Sequence, residues 1–288
     1  MGKDNVEGLD KGMGIKARRL IAYVVLVVVS FLCLVWFYIL FVNATRSHGE
    51  LTQGFTPIPS KHLFSNWQGL VSGTLPVVQG MLNSLFVSTC CAALCTYFSA
   101  MTAYAIHAYD FKFRRAIFSF ILAVMMIPTQ VTALGFLQLV DDMKLADSFV
   151  PLIIPSIAAP VTFYYLKQYM ASNLPLSLVE AARIDGSGEL RTFNTIVVPI
   201  MKPSIAVQAI FTFVSTWNNY FTPALILHDE KKKTLPILIA QLRSADFLKF
   251  DMGQVYIMIA FSIFPVVIVY LFLSKFIVQG VAVGSVKG

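Results

Sequence analysis

Residues 20–42 read LIAYVVLVVVSFLCLVWFYILFV, 23 positions without an Asp, Glu, Lys or Arg. At about 1.5 Å per residue a helix of this length extends about 35 Å, enough to cross a hydrocarbon core about 30 Å thick. The run exceeds a signal-peptide core of about 7–15 residues, and no small-residue cleavage site follows Val42, so it reads as a retained span. Comparable runs are Met81–Tyr109, Ala116–Val140, Ser148–Leu166, Pro203–His228 and Met252–Ser274. The whole chain follows this pattern. It has 288 residues, 57% hydrophobic and 13% charged, with a mean hydropathy of +0.72. Soluble domains carry about 25% charged residues. The fold class expected is therefore all-α, a polytopic membrane protein of about six transmembrane helices.

The uncharged stretch His62–Gly80 contains Gly69, Gly73, Pro76 and Gly80 and is expected outside the bilayer as a loop or surface helix. Pro128, Pro151, Pro155 and Pro160 are expected to kink or shorten helices. Lysine and arginine set the orientation. With the N-terminus cytoplasmic, Arg18, Arg19, Lys112, Arg114 and Arg115 fall inside, and so does most of the basic excess behind the net charge of +7. Lys231, Lys232 and Lys233 run against this, since they fall in an outer loop beside Asp229 and Glu230. The division expected is a cytoplasmic segment at 1–19, a transmembrane domain at 20–278 and a cytoplasmic tail at 279–288. The basic balance follows membrane topology and gives no sign of nucleic-acid binding.

Much chemistry is missing from the sequence. There is no phosphate-binding G-x-x-x-x-G-K-[ST] and no H-E-x-x-H, and His48, His62, His107 and His228 lack ligand spacing. Cys33, Cys90, Cys91 and Cys95 all fall in expected spans and read as packing residues, so neither a disulfide framework nor a metal site is expected. No acidic or basic residue sits in mid-span, although ion-coupled carriers use such groups. The chain therefore reads as a transport subunit that is not itself an enzyme, driven by energy from another subunit.

One polar, glycine-punctuated stretch, EAARIDGSGELRTFNTIVVPIMKP at residues 180–203, interrupts the apolar pattern. Ser177 and Glu180 have the spacing of a capping box, and Glu180 and Arg183 that of an i,i+3 ion pair. Gly186 stands where a left-handed residue ends a helix, and Ser187 is placed to cap a second helix with Glu189 in its first turn. Leu190, Phe193 and Val197 give that helix an apolar stripe, and Pro199 and Pro203 are expected to end it and begin the fifth span. The outcome expected is a helix-turn-helix at the cytoplasmic surface.

The stretch resembles the EAA motif of permease subunits of binding-protein-dependent ABC importers. The pattern is carried by Glu180-Ala181-Ala182, Gly186, Ile196 and Val198-Pro199, with Val198 where leucine is usual. The resemblance implies that the loop 171–203 couples the membrane helices to an ATPase through Glu180, Ala181, Ala182, Arg183, Asp185, Gly186, Ile196 and Pro199. Asn83-Ser84, Ile127-Pro128-Thr129, Thr216–Tyr220, Thr234-Leu235-Pro236 and Gly284–Gly288 are similar to the carbohydrate branch, and to the relatives of the maltose importer's smaller membrane subunit. Implied partners are a homologous second permease, two ATPase subunits that hold ATP and magnesium, and an extracytoplasmic sugar-binding protein. Implied too is a multi-pass place in a bacterial or archaeal cytoplasmic membrane, with no cofactor on this chain.

Within or beside spans, Asn83, Gln208, Trp217, Asn218, Asn219 and Tyr220 offer the amides and aromatic faces that sugars use. The same residue types also join neighbouring helices or sit at interfaces, so both roles stay open. Rival readings are a stand-alone secondary carrier, a permease of this superfamily for a non-sugar solute, and a membrane-embedded enzyme.

Overall fold

A computed structural model describes residues 15–244 and 251–285. Among the described residues every regular element is a helix. Five stretches are long and apolar enough to cross a membrane: Arg19–Ala44, Val77–Ala108, Val150–Asn173, Glu189–Trp217 and Met252–Phe276. The expected third span differs. It is broken into α5 (Arg114–Val124) and α6 (Thr129–Asp142), with Pro128 as the N-cap of the second. Proline has no N–H for the ladder, and it biases the residue before it toward extended backbone, so the helix stops short of Ile127.

The chain divides into two compact units, residues 1–68 with 251–260 and residues 69–250 with 261–288. In the first, α1 (Ile15–Ala44) leaves the 18 most apolar residues of its span uncovered. A helix that is apolar around its whole circumference is suited to lipid. Beyond it lies a small polar knot. Ser47 and Glu50 form a capping box at α2 (His48–Thr52), and Ser60 Oγ donates to Glu50. Buried Arg46 donates to the carbonyls of Gly54 and Glu50. Bonding from the Ser47 backbone N–H, then from the Ser60 hydroxyl, holds the Glu50 carboxyl below its usual range. Asn66, on α3 (Leu63–Val71), donates to the carbonyls of Ala44 and Arg46. At about 14 Å, α3 is too short to span a bilayer, in keeping with a surface helix. Gly253, near the start of α14 (Met252–Ser285), approaches so closely that a Cβ there would lie 2.7 Å from Asn66 Nδ2 and 2.8 Å from the Arg46 carbonyl.

The second unit is built on α4 (Val77–Ala108), whose buried face carries Gly80, Ser84, Ser88, Ala92, Thr96, Ala100 and Ala103. Small residues at this spacing let other helices approach closely. Those helices are α8 (Pro160–Asn173), the segment α7 (Val150–Ile153) with its 3-10 continuation Ile154–Ile157, and α11 (Val198–Trp217). Pro151, Pro155 and Pro160 each begin one of these pieces. Cys91 Sγ donates to the Leu152 carbonyl, and Cys95 Sγ lies 3.4 and 3.5 Å from the Thr162 and Thr212 hydroxyls, so both thiols serve helix packing.

Two span ends also move. Helix α8 runs on to Asn173, past the expected end at Leu166, so Lys167 lies within a helix. Helix α11 stops at Trp217 and is followed by a separate α12 (Phe221–Ile226) and then α13 (Leu235–Arg243). The expected tail beyond 278 is helical to Ser285. Residues 286–288 and most of the expected 1–19 segment lie outside the described residues.

Candidate functional site

The segment 171–203 begins where Leu174 and Pro175 close α8. Helix α9 (Leu176–Ile184) has Pro175 as its N-cap, and Leu178 N–H bonds to the Pro175 carbonyl. The expected capping box of Ser177 and Glu180 is absent, because the fixed φ of Pro175 starts the helix two residues earlier. Val179 and Ala182 are buried, Val179 in a core that includes Ala103, Met170, Phe193 and Met201. Glu180, Ala181 and Asp185 face outward.

The end of α9 is a Schellman motif. Ser187 N–H bonds to the Ala182 carbonyl, Gly186 N–H bonds to the Arg183 carbonyl, and Gly186 has φ +73°. Gly186 therefore fills the expected left-handed position. Ser187 does not cap the next helix. Gly188 is the N-cap of α10 (Glu189–Thr192), while Ser187 Oγ accepts a bond from Thr192. Arg183 pairs with Glu189 at 2.9 Å instead of the expected Glu180, because the turn folds Glu189 back beside it. Bonding to Glu189, and next to Tyr109, raises the Arg183 pKa.

The second helix does not end at Pro199 or Pro203. It passes from α10 through a π-turn (Phe193–Val197) into α11, continuous from Glu189 to Trp217 and about 43 Å long. A proline lacks the N–H that the helix ladder needs and crowds the preceding turn. The wider π-turn stands directly before Pro199, where it relieves that crowding. Ile196 is half-buried there and Pro199 is exposed.

Aromatic residues of α4, which sequence reasoning missed, clamp this segment. Tyr104 donates to Glu189 at 3.1 Å, and its ring centroid lies 5.7 Å from that of Phe193. Tyr97 donates to Asn194, and the Arg183 guanidinium sits 4.9 Å over the Tyr109 ring. His107 Nε2 lies 3.1 Å from the Leu174 carbonyl. The seven-residue spacing of Tyr97 and Tyr104 on one helix face was the available signal. Of the expected apolar stripe, Phe193 and Val197 are buried but Leu190 is 67% exposed, and Ile184, which was missed, is 86% exposed on the other side of the turn.

The six candidate pathway residues do not form one site. Asn83 donates to the carbonyls of Lys231 and Lys233, Trp217 stacks on Phe213, and Asn218 bonds back to Val214. Gln208 is buried within α11 and Tyr220 is exposed. Asn219 alone of the six lines a cavity of about 360 Å³, together with Ser84, Ser88, Ser156, Thr216 and Thr234. The described lining of that cavity contains no charged residue. The buried Ser88 and Thr234 hydroxyls on it have no hydrogen-bond partner among the described residues.

Known proteins resemble this chain over most of its length. The family described as the binding-protein-dependent transport system inner membrane component matches residues 96–283. The arabinooligosaccharides transport system permease protein AraQ of Bacillus subtilis (strain 168) is 35% identical over 233 residues, covering 80% of this chain and 81% of its own. The melibiose/raffinose/stachyose import permease protein MelC of the same organism is 29% identical, over 88% of this chain and 91% of its own. The sn-glycerol-3-phosphate transport system permease protein UgpE of Yersinia pestis bv. Antiqua (strain Antiqua) is 29% identical, over 96% and 97%. In fold, a chain from the crystal structure of a bacterial ABC transporter involved in import of the acidic polysaccharide alginate superposes with a TM-score of 0.79 at 22% identity, covering 92% of this chain and 98% of that one. This chain belongs to the family of binding-protein-dependent transport system inner membrane components.

Proposed function

We propose that this permease forms half of the translocation pathway of an ATP-driven importer for a neutral sugar or oligosaccharide, and that residues 171–203 dock on a cytoplasmic ATPase. The observation that carries the docking reading is the pair Ile184 and Leu190. Both are exposed on a surface otherwise held rigid by the Schellman turn and the aromatic clamp. Apolar side chains presented on a fixed frame suit a cleft on another protein. The continuous helix from Glu189 to Trp217 then carries displacement of that contact into the bundle. Glu180, Ala181, Asp185 and Gly186 complete the docking face, while Ala182, Arg183, Ile196 and Pro199 hold its shape.

The sugar reading is supported by the names of the relatives AraQ and MelC. The cavity at Asn219, uncharged in its described lining, favours a neutral polyol over the phosphate ester named for UgpE, since a buried anion needs a cation beside it. The partners proposed are a homologous second permease, two ATPase subunits that bind ATP and magnesium, and an extracytoplasmic sugar-binding protein. Both termini are then cytoplasmic, in a bacterial or archaeal cytoplasmic membrane.

The test is to express the chain with its genomic neighbours, purify by a tag on this chain, and measure ATPase activity with binding protein. Stimulation by a neutral oligosaccharide, and none by sn-glycerol 3-phosphate, is the expected result. Stimulation by the phosphate ester alone overturns the sugar reading. A chain that moves solute in liposomes without an ATPase overturns the importer reading.

A further inference from the structure

An open cavity of about 930 Å³ lies where the Ala108 end of α4, the loop after it, α5 and α8 meet. Four cations converge on it: Lys112 from the loop, Arg114 and Arg115 from α5, and Lys167 from α8. Asp110 is the one carboxylate in its described lining, and among the described residues none of the four cations is held in an ion pair. The general excess of basic residues at cytoplasmic membrane edges accounts for loose lysines and arginines. It does not require that Lys167, more than 50 positions away in sequence, turn into the same cavity as Arg115. Like charges that face one cavity repel one another unless an anion joins them.

The rest of the cavity points to the kind of anion. Phe118 forms part of its floor, with the Lys167 ammonium 4.9 Å above the ring. Helix α5 begins at this cavity with no side-chain cap and no acidic residue in its first turn, so its amide groups add positive potential. Directly beside the cavity, Phe113, Ile117 and Phe120 form an exposed apolar stripe of helical spacing along the broken third span. A soluble phosphate has no use for that stripe, whereas acyl chains running into the bilayer do.

We propose that this cavity binds the headgroup of an anionic phospholipid, its phosphate among Lys112, Arg114, Arg115 and Lys167 and its acyl chains along Phe113, Ile117 and Phe120. Basic pockets between spanning helices are suited to such headgroups, and each basic side chain near an anionic membrane surface adds to the attraction. The importer reading fixes only the leaflet involved, the cytoplasmic one. Lipid retention itself does not depend on it.

The experiment is native mass spectrometry of the purified full chain after reconstitution in phosphatidylcholine nanodiscs, with and without phosphatidylglycerol, and release into detergent. Wild type is expected to keep phosphatidylglycerol over phosphatidylcholine by at least about tenfold. The triple variant Lys112→Gln/Arg115→Gln/Lys167→Gln loses that preference, while Lys167→Arg keeps it. The exposed Arg115→Gln, with an expected drop of several-fold, carries the test should the triple variant fail to fold. Equal retention of both lipids by wild type overturns the proposal, as does a preference unchanged in the glutamine variants. Displacement of the lipid by inorganic pyrophosphate that then binds without lipid assigns the cavity to a soluble anion and overturns it too.

Discussion

Two glycines hold positions that a larger residue would disturb for different reasons. At Gly186 the constraint is conformational: φ is +73°, and an added Cβ would meet nothing within 4 Å. A left-handed conformation costs an L-residue about 1–2 kcal/mol, less for asparagine. Gly186→Ala is therefore expected to destabilise the turn by about 1 kcal/mol, Gly186→Val by more, and Gly186→Asn by least. Faster amide hydrogen exchange at Ser187 and Gly186, whose N–H groups close the motif, in that order of variants is the check. At Gly253 the constraint is steric, since a Cβ would press on the Arg46 carbonyl and both polar atoms of Asn66. Gly253→Ala is expected to cost about 1–3 kcal/mol in thermal unfolding. Asn66→Ala should not rescue it, because the backbone contact with Arg46 remains.

The segment 171–203 shows at the level of elements what a sequence makes legible. Gly186 could be read, because one residue type at a helix end carries the local backbone requirement. The partner of Arg183 could not, because Glu189 reaches it only through the geometry of the turn. Pro199 and Pro203 read as breaks, yet the helix runs past both, Pro199 just after a π-turn and Pro203 inside α11, and nothing in the residue pattern signals the change of helical pitch before Pro199. Pro128, by contrast, does break its span, between Val124 and Thr129. The aromatic clamp was hidden because tyrosines in a greasy helix look like packing or interface residues. The orientation of α9 leads to a prediction. Val179 and Ile184 differ by five positions and face opposite ways, one fully buried and one 86% exposed. Ile184→Asp and Leu190→Asp should leave thermal unfolding within about 0.5 kcal/mol of wild type, as surface changes do. The same changes should cut ATPase copurification about tenfold or more, the scale of a truncated interface anchor. Val179→Asp should instead prevent folding. Full ATPase retention by both surface variants would remove the docking role from this tip.

At the scale of the whole molecule the question is which end faces the cytoplasm. The lysines at 231–233 contradicted the charge bias in the sequence, and the structure accounts for them. Lys233 is buried and paired with Glu230, and Lys232 Nζ donates to the Asp147 carbonyl at 2.7 Å. Asp147 in turn accepts from the backbone of Asp229 and His228, which holds its carboxyl below the usual range. Asn83 fastens the carbonyls of Lys231 and Lys233 to α4. Lysines tied into a folded, partly neutralised turn present little free positive charge to oppose translocation, so the bias carried by Lys112, Arg114 and Arg115 supports the proposed orientation, with both termini cytoplasmic. The native cysteines fall within the expected spans, out of reach of a membrane-impermeant maleimide, so added cysteines report topology. Lys231→Cys is expected to label in intact cells. Asp185→Cys, on the exposed turn beside Gly186, should label only after permeabilisation. The reverse pattern would turn the coupling segment away from any cytoplasmic ATPase and defeat the docking reading, even though the family assignment, which rests on sequence similarity, would stand.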